Sequence, residues 1–204
     1  SFDPQHVGHR VAIGATTEAV MAEGRKAHAL VHVMGDHPRK VFDAPYAQRY
    51  VQSERRIYQS PWLSQEDVTQ VDVPGGKGLA ARGLSQMALL AEVTGDRGIR
   101  WVIGSDKLLL DVDMVQTQPD KAEKAAARFH DPRMDIYVVH RQNDDGEALR
   151  EAADYARNRY GVPITLVEEW PYDCAPASSS RIKELRAAGR RREADKMELY
   201  EFST

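Results

Sequence analysis

Residues 134–168, MDIYVVHRQNDDGEALREAADYARNRYGVPITLVE, contain the pattern that decides the fold. The apolar stretch Met134–His140 predicts a buried strand, and Ile164–Glu168 predicts a second one. Between them, Asp144–Tyr160 has the charged amphipathic pattern of a helix. A strand, a helix and a strand in this order form a βαβ unit, in which the two strands run parallel.

The same alternation of strands and helices continues through the rest of the chain. Further strands are predicted at Ala27–Met34, Val68–Val73 and Ile99–Ile103. Further helices are predicted at Arg10–Gly24, Pro45–Gln59, Leu79–Val93, Leu108–Arg128 with a break near Pro119, and Ser178–Gly189. We therefore predict one α/β domain over residues 1–204, with a doubly wound, mostly parallel sheet and helices on both faces. Ligands of such sheets bind at the carboxyl ends of the strands.

Composition excludes several classes of protein. With 204 residues, of which 42% are hydrophobic, the chain can bury a core, so extensive disorder is not expected. The formal net charge of -3 does not favour a nucleic-acid-binding surface. The single cysteine, Cys174, excludes a disulfide framework and a cysteine-based zinc site, and it is compatible with a reducing cytoplasm. No apolar run approaches the ~20 residues that span a bilayer, so no membrane partner is expected.

A first candidate site lies in SFDPQHVGH, residues 1–9, which leads into the first predicted helix. His6 and His9 are three residues apart, so both can lie on one side of a helical turn. Gly8 allows a ligand to approach the backbone closely. Two imidazoles and the free amides of a helix N-terminus suit phosphate oxygens. The structural alternative is a pair of surface histidines. A metal site is less favoured because no third ligand accompanies the pair.

A second candidate site lies in ASSSRIK, residues 177–183. Consecutive serines are good N-caps, and their hydroxyls join the free amides of the helix start. Arg181 and Lys183 add cationic donors that suit a polyphosphate. The alternative is an ordinary capped helix followed by solvated basic residues.

Two weaker candidates follow predicted strands. Gly104 and Asp106 come directly after Ile99–Ile103, where an acidic side chain could bind a ribose hydroxyl, although a helix cap is the commoner explanation. His37 and Lys40 belong to the basic loop HPRK, residues 37–40, which could contact phosphates or form a plain solvated turn.

Together these motifs resemble those of the HxGH nucleotidyltransferase superfamily. SFDPQHVGH at residues 1–9 resembles its first signature, and SSSRIK at residues 178–183 is similar to its second, ISSTxIR. Within the superfamily the chain most resembles bacterial nicotinate-mononucleotide adenylyltransferases, whose PHK-like loop is similar to HPRK at 37–40 and whose IGAD motif is similar to IGSD at 103–106. The resemblance extends from residue 1 to about residue 190.

The resemblance implies a Rossmann-like fold and transfer of AMP from ATP to a phosphate-bearing acceptor, such as nicotinate or nicotinamide mononucleotide in NAD biosynthesis. It implies direct attack on the α-phosphorus, release of pyrophosphate and no covalent enzyme intermediate. Mg2+ would arrive with the triphosphate, and no protein ligand to a metal is expected.

The resemblance also assigns roles to residues. The catalytic residues would be His6, His9 and Lys183. The nucleotide would be bound by Ser1, Phe2, Gly8, Gly104, Asp106, Ser178, Ser179, Ser180 and Arg181. His37 and Lys40 would contact the acceptor or the phosphates.

Several departures from the family pattern leave alternatives open. Lys183 stands where arginine is usual, which keeps the charge but loses the bidentate geometry. The superfamily's first strand should precede Ser1, so a further segment is expected there. Residues 73–81 and 190–204 are atypical, and so the acceptor stays open. A cytidylyltransferase that acts on a phosphorylated or phosphonate metabolite is the alternative.

Two other classes of protein remain to be distinguished from an enzyme. One is a non-catalytic nucleotide-binding module on the same fold. The other is an interaction protein whose basic C-terminal helix, the basic segment Arg181–Arg192, contacts an acidic partner or RNA. The oligomeric state is also open, a homo-oligomer included.

Overall fold

A computed structural model of the chain describes residues 7–33, 42, 44–60, 68–71, 99–126, 129, 134–140, 144–167 and 179–199. The strands in these residues are β1 (Ala29–His32), β2 (Val68–Val71), β3 (Ile99–Gly104), β4 (Met134–Val139) and β5 (Ile164–Val167). The helices are α1 (Val7–Ala22), α2 (Tyr46–Tyr58), α3 (Ser105–Thr117), α4 (Pro119–Ala126), α5 (Gly146–Tyr160), α6 (Ser179–Ala187) and α7 (Arg191–Leu199).

The strand pairs of the described residues are all parallel. β1 pairs with β2, with Ala29 opposite Val68. β4 lies between β3 and β5, with Trp101 and Ile164 both opposite Ile136. Parallel strands need crossover connections, and α5 is the crossover between β4 and β5. The parallel α/β architecture predicted from residues 134–168 is therefore confirmed.

The chain divides into two compact units. One comprises Ser1–Gln86 and Pro171–Thr204, and it contains β1, β2, α1, α2, α6 and α7. The other comprises Met87–Trp170, and it contains β3 to β5 and α3 to α5. The single domain over residues 1–204 stays a prediction.

The unit Met87–Trp170 has β4 at its centre. Ile136 and Val138 point to one face of the sheet, Tyr137 and Val139 point to the other, and all four side chains are buried. Burial on both faces is typical of a parallel sheet that is covered on both sides. The Ile136 face packs on buried residues of α3 and α5, which are Leu108, Val112, Leu149, Ala152, Ala153 and Ala156.

In the other unit, α1 and α2 pack on the sheet formed by β1 and β2. Val31, Ile57 and Val68 form a buried cluster, and Ile13 of α1 packs against it. The buried residues of α1 recur at helical spacing and include Val7, Arg10, Val11, Gly14 and Ala15. Arg10 therefore occupies a core position although it is charged.

The same unit contains a helical hairpin formed by α6 and α7. Gly189 makes the turn with φ 74°, a left-handed conformation that glycine adopts without steric cost. Ile182 and Leu185 of α6 are buried against Ala194 of α7, with Met197 packed beside them. The sequence did not predict α7. The positions that α7 buries include the charged Glu198 beside Ala194 and Met197, so the sequence shows no continuous apolar stripe there.

The other predicted elements match the structure to within a few residues. α1 begins at Val7 rather than Arg10, and α3 begins at Ser105 rather than Leu108, since Val7 and Ser105 are buried by their own helices' packing. The break predicted near Pro119 separates α3 from α4. The helix predicted for Leu79–Val93 lies outside the described residues.

Candidate functional site

The first predicted motif continues into the first turn of α1. Gly8 and His9 are both half-buried there, the second and third residues of the helix. The first four backbone amides of a helix have no partner within it, so this turn presents N–H donors beside an imidazole. Ser1, Phe2 and His6 lie outside the described residues.

The second predicted motif forms the start of α6. Ser179 and Lys183 are half-buried, and Ser180 and Arg181 are exposed. Arg181 Nη1 lies 3.1 Å from Glu184 Oε2 in an ion pair that is half-exposed on both sides. Ser178 lies outside the described residues. The start of α6 thus combines hydroxyls, backbone amides and cations in one turn and a half.

Acidic side chains distinguish these two helix starts from most of the others. The first turns of α3, α4, α5 and α7 each contain an acidic residue, which are Asp106, Asp120, Glu147 and Glu193. Acids stabilise a helix there because they neutralise its positive end. The first turns of α1 and α6 contain none, nor does that of α2. No acidic side chain of their own first turn neutralises the positive ends of α1 and α6, a composition that suits the binding of an anion from outside the helix.

A buried arginine joins the start of α1 to the α6–α7 hairpin. Arg10, next to His9, donates from Nη2 to the carbonyl oxygen of Glu198 at 2.7 Å. It also donates from Nη1 to Ser60 Oγ at 3.0 Å, just beyond the end of α2. Both predicted motifs thus belong to one compact unit, and one side chain ties the first motif to the hairpin that carries the second.

The surroundings of Arg10 are crowded with positive charge. Burial, and then the nearby guanidinium of Arg56, lower the pKa of Arg10 to about 10. The carboxylate of Glu198, 3% exposed, compensates by forming ion pairs with Arg56 and with Arg186 of α6. Sequence reasoning missed this cluster. Its one local signal was a charged residue, Arg10, at a buried position of the helical pattern.

The basic segment Arg181–Arg192 is not an uncompensated positive surface. Arg181 pairs with Glu184, Arg186 with Glu198, and Arg190 with Glu193. These contacts lie within the hairpin itself. They weaken the hypothesis that this segment is a docking site for an acidic partner.

Gly104 and Asp106 lie in the unit Met87–Trp170, at the carboxyl end of β3. Gly104 is the N-cap of α3 and makes no side-chain capping bond, and Asp106 is exposed in the first turn. A helix cap formed by Ser105 or Asp106, the commoner explanation for an acidic residue after a strand, is therefore not what the structure shows. The fully buried Ser105 instead donates from Oγ to Asp144 Oδ2.

The Ser105–Asp144 bond connects the ends of two neighbouring strands. Asp144 follows β4, and its carbonyl oxygen lies 2.9 Å from His140 Nε2. Because β3 and β4 are parallel and adjacent, their carboxyl ends lie at the same edge of the sheet. This is the edge at which parallel α/β sheets bind ligands. The bond fixes the turn that presents Asp106.

The residues that line one cavity differ from the predicted site residues. His37 and Lys40 are outside the described residues. An open cavity of about 410 Å³ is lined by Arg150, Asp154, Arg157, Ile164, Thr165 and Leu166. None of the predicted site residues lines it.

Within the described ranges, no three His, Cys, Asp or Glu side chains group as metal ligands would. The helices of those ranges also include none with the length and apolar character needed to cross a bilayer.

The fold is that of Rossmann-like adenylyltransferases. The chain is similar to a structure of Plasmodium falciparum nicotinic acid mononucleotide adenylyltransferase complexed with NaAD. The TM-score is 0.66 and the identity 12%, over 91% of this chain and 80% of that chain. A structure of the same protein complexed with APC aligns with a TM-score of 0.62 and 14% identity, over 91% of this chain and 79% of that chain.

At these identities the likeness establishes the fold. The Rossmann-like fold expected from the motifs is confirmed. No protein-family model matches the chain, and no curated protein matches it.

Proposed function

We propose that the chain is a nucleotidyltransferase that transfers AMP from ATP to a phosphate-bearing acceptor, such as nicotinate or nicotinamide mononucleotide, and releases pyrophosphate. The observation that carries the proposal is the adenylyltransferase fold over 91% of the chain. The motifs support it, since their described residues, Gly8–His9 and Ser179–Lys183, belong to the starts of two helices of one compact unit, and neither first turn contains an acidic residue.

The reaction is a direct displacement at phosphorus. An oxygen of the acceptor phosphate forms a bond to the α-phosphorus of ATP, while the bond from that phosphorus to the oxygen bridging to the β-phosphate breaks. The electron pair of the broken bond leaves with pyrophosphate. Catalysis then depends on positioning and on stabilising the charge that develops on the α-phosphate oxygens. Mg2+ enters as part of the MgATP substrate.

His9 and His6 donate from their imidazoles to the triphosphate, with His9 nearest the α-phosphate. Ser178 to Ser180, Arg181 and Lys183 hold the β- and γ-phosphates. The pair of Arg181 with Glu184 is half-exposed, and such pairs contribute only about 0–1 kcal/mol, so a phosphate can replace Glu184 as the partner of Arg181. A doubly charged phosphate binds a guanidinium more strongly.

The remaining assignments complete the substrate contacts. Gly104 and Asp106 contact the nucleoside, and Asp106 is exposed at the ligand-binding edge of its sheet. Ser1, Phe2 and Gly8 line the nucleotide, and His37 and Lys40 contact the acceptor or its phosphate. A role in NAD biosynthesis follows from this choice of acceptor, and the single cysteine supports a cytoplasmic location.

Pyrophosphate release tests the proposal. The chain is assayed with ATP and with CTP, each against nicotinate mononucleotide, nicotinamide mononucleotide and a phosphorylated or phosphonate metabolite such as phosphocholine. We expect turnover with ATP and a mononucleotide. Turnover with CTP and the metabolite would instead assign the alternative cytidylyltransferase.

His9→Ala tests the catalytic assignment in the same assay. Loss of a donor to developing charge costs about 10²–10³-fold in kcat, so we expect a decrease of that size. The matched control is His28→Ala, because His28 is exposed and stands outside both motifs. If His9→Ala keeps the wild-type kcat, the catalytic role of His9 is wrong. If ATP binds and no acceptor is adenylylated, the chain is a nucleotide-binding module.

A further inference from the structure

The contacts of Glu198 join four segments of one compact unit. Its carboxylate pairs with Arg56 of α2 and Arg186 of α6, and its carbonyl oxygen accepts from Arg10 of α1 at 2.7 Å. Arg10 also donates to Ser60 Oγ, which in turn donates to the carbonyl oxygen of Arg56 at 2.8 Å. We call these five residues the Glu198 hub.

The hub is unbalanced in charge and buried at its centre. The carboxylate of Glu198 pairs with Arg56 and Arg186, and a third arginine, Arg10, is held by the carbonyl oxygen of Glu198. The further carboxylate of Asp195 lies 3.8 Å from Arg186 at the exposed side. Arg10 and Glu198 are each 3% exposed. Charges buried in this way contribute little net stability compared with apolar side chains of similar size, but they restrict how the surrounding elements can pack. Fixing an arrangement is therefore the better explanation for the hub than holding the fold together.

The hub contacts both helices that carry the phosphate motifs. Arg10 directly follows His9, in the first turn of α1. The carboxylate of Glu198 pairs with Arg186 of α6, the helix that begins at Ser179. The hub thus connects the turn that carries His9 to the helix that carries the serines.

We propose that Arg10 and Glu198 are positioning residues for the transfer reaction: they fix the first turn of α1 against the α6–α7 hairpin, so that His9 and the serine turn of α6 address the same triphosphate. The inference rests on the proposed function. Neither residue contacts the substrate. Arg10 acts through His9. Glu198 holds Arg10 by its carbonyl oxygen, and its carboxylate fixes that carbonyl oxygen against Arg56 and Arg186.

A double-mutant cycle between Arg10 and His9 tests the proposal. Arg10→Lys keeps the positive charge but loses the planar guanidinium, whose two terminal nitrogens donate to Ser60 Oγ and to the carbonyl oxygen of Glu198. We expect kcat to fall about tenfold or more, because small displacements of a catalytic group are costly, with KM for ATP within about threefold. In a His9→Ala background the same substitution should lower kcat less than about twofold, because residues that act as a unit are not additive.

The matched control is Arg157→Lys in the other unit. Arg157 donates from Nε to the carbonyl oxygen of Ile164 at 3.1 Å, so this variant also loses an arginine bridge to a backbone carbonyl. It should lower Tm without lowering kcat. Glu198→Gln is the second variant, in case Arg10→Lys does not fold. It keeps the carbonyl oxygen that binds Arg10 and weakens the pairs that fix this carbonyl to Arg56 and Arg186, so it should show the same dependence on His9.

The outcomes separate the two proposals. An equal fold decrease from Arg10→Lys in the wild-type and His9→Ala backgrounds overturns the positioning role and leaves the proposed function standing. A decrease in Tm with no change in kcat does the same. A wild-type chain that turns over no nucleoside triphosphate overturns both.

Discussion

At the scale of single residues, Lys183 is the position where the chain departs from the signature that it otherwise resembles. It is half-buried on α6, one turn after Ser179. A lysine ammonium is a compact charge that can contact one phosphate oxygen at a time, whereas a guanidinium can contact two. The departure therefore changes the geometry of phosphate binding and keeps its charge.

Substituting Lys183 tests its part in binding the triphosphate. Lys183→Ala should lower kcat/KM for ATP about 10²-fold, the usual cost of removing a donor to transition-state charge. Lys183→Arg should retain at least the wild-type value. Lys121→Ala is the control, since Lys121 is an exposed lysine on α4 that contacts Gln118. Steady-state pyrophosphate release measures all three, and a wild-type kcat/KM for Lys183→Ala would remove the residue from the site.

Candidate site residues could be proposed from the sequence where they belong to short motifs, and not where they depend on tertiary contacts. Gly8, His9 and Ser179 are candidates because of their neighbours in the sequence, and their roles stay predictions. Glu198 could not be identified, because its partners Arg56 and Arg186 are separated from it by 142 and 12 positions, 198 − 56 and 198 − 186. Only the fold brings these charges together.

At the scale of helices and turns, the α6–α7 hairpin depends on a turn with positive φ. Gly189 has φ 74° and nothing lies within 4 Å of the position its Cβ would occupy. Gly189→Ala should therefore lower the free energy of unfolding by about 1 kcal/mol through backbone strain alone. For a chain of this size that is a decrease in Tm of roughly 2–4 °C.

Gly146→Ala is the matched control for Gly189→Ala. Its added Cβ would meet His140 Cε1 at 3.6 Å and Arg150 Nη1 at 3.7 Å, which are ordinary contacts, in a helix that favours alanine. Its Tm should not fall. Equal Tm values for the two variants, measured by thermal unfolding, would show that the turn at Gly189 does not restrict the hairpin.

The start of α7 should respond to pH. A hydrogen bond from Arg190, aided by its charge, lowers the pKa of Glu193 below the ordinary 4.5. Because the folded pKa is the lower one, the ionised carboxylate contributes stability above pH 4.5, and the contribution is lost as pH falls through the folded pKa. The difference in Tm between wild type and Glu193→Gln should therefore shrink below pH 4.5.

Arg190→Gln removes the partner of Glu193 and is the control for this pH effect. The difference in Tm between wild type and Arg190→Gln should shrink below pH 4.5, as it should for Glu193→Gln. Thermal unfolding from pH 6 to pH 3 measures all three chains. A Tm difference between wild type and Glu193→Gln that stays constant over this range would contradict the role of the pair.

At the scale of the whole molecule, the alternation of strands and helices predicted the architecture because periodicity is a local signal that tertiary packing reinforces. Met134–His140 predicted β4 to within one residue at its end. The missed helix α7 is the opposite case. Its buried face combines Ala194 and Met197 with the charged Glu198, so its sequence lacks the apolar periodicity of an amphipathic helix. Its burial follows from the hairpin with α6, which no local pattern encodes.

The stability of the whole chain should depend on nucleoside triphosphate. A ligand that binds only the folded state, at about 100 times its Kd, raises the free energy of unfolding by about 2.7 kcal/mol. For a chain of this size the increase in Tm is roughly 5–10 °C. AMP lacks the β- and γ-phosphates that the start of α6 is proposed to hold, so it should raise Tm less at the same concentration. The increases in Tm produced by ATP and by CTP at the same concentration show which of the two nucleotides the chain binds more tightly.

The double variant Ser179→Ala with Lys183→Ala connects this shift to the proposed site. It removes a hydroxyl and an ammonium from the start of α6, so the Tm increase produced by ATP should fall toward that produced by AMP. His28→Ala should keep the full increase, because His28 is exposed and belongs to neither motif. An ATP-dependent increase that is unchanged in the double variant would mean that the triphosphate binds elsewhere. The two helix starts would then have no common ligand, and the basis for assigning a transferase reaction to this fold would be gone.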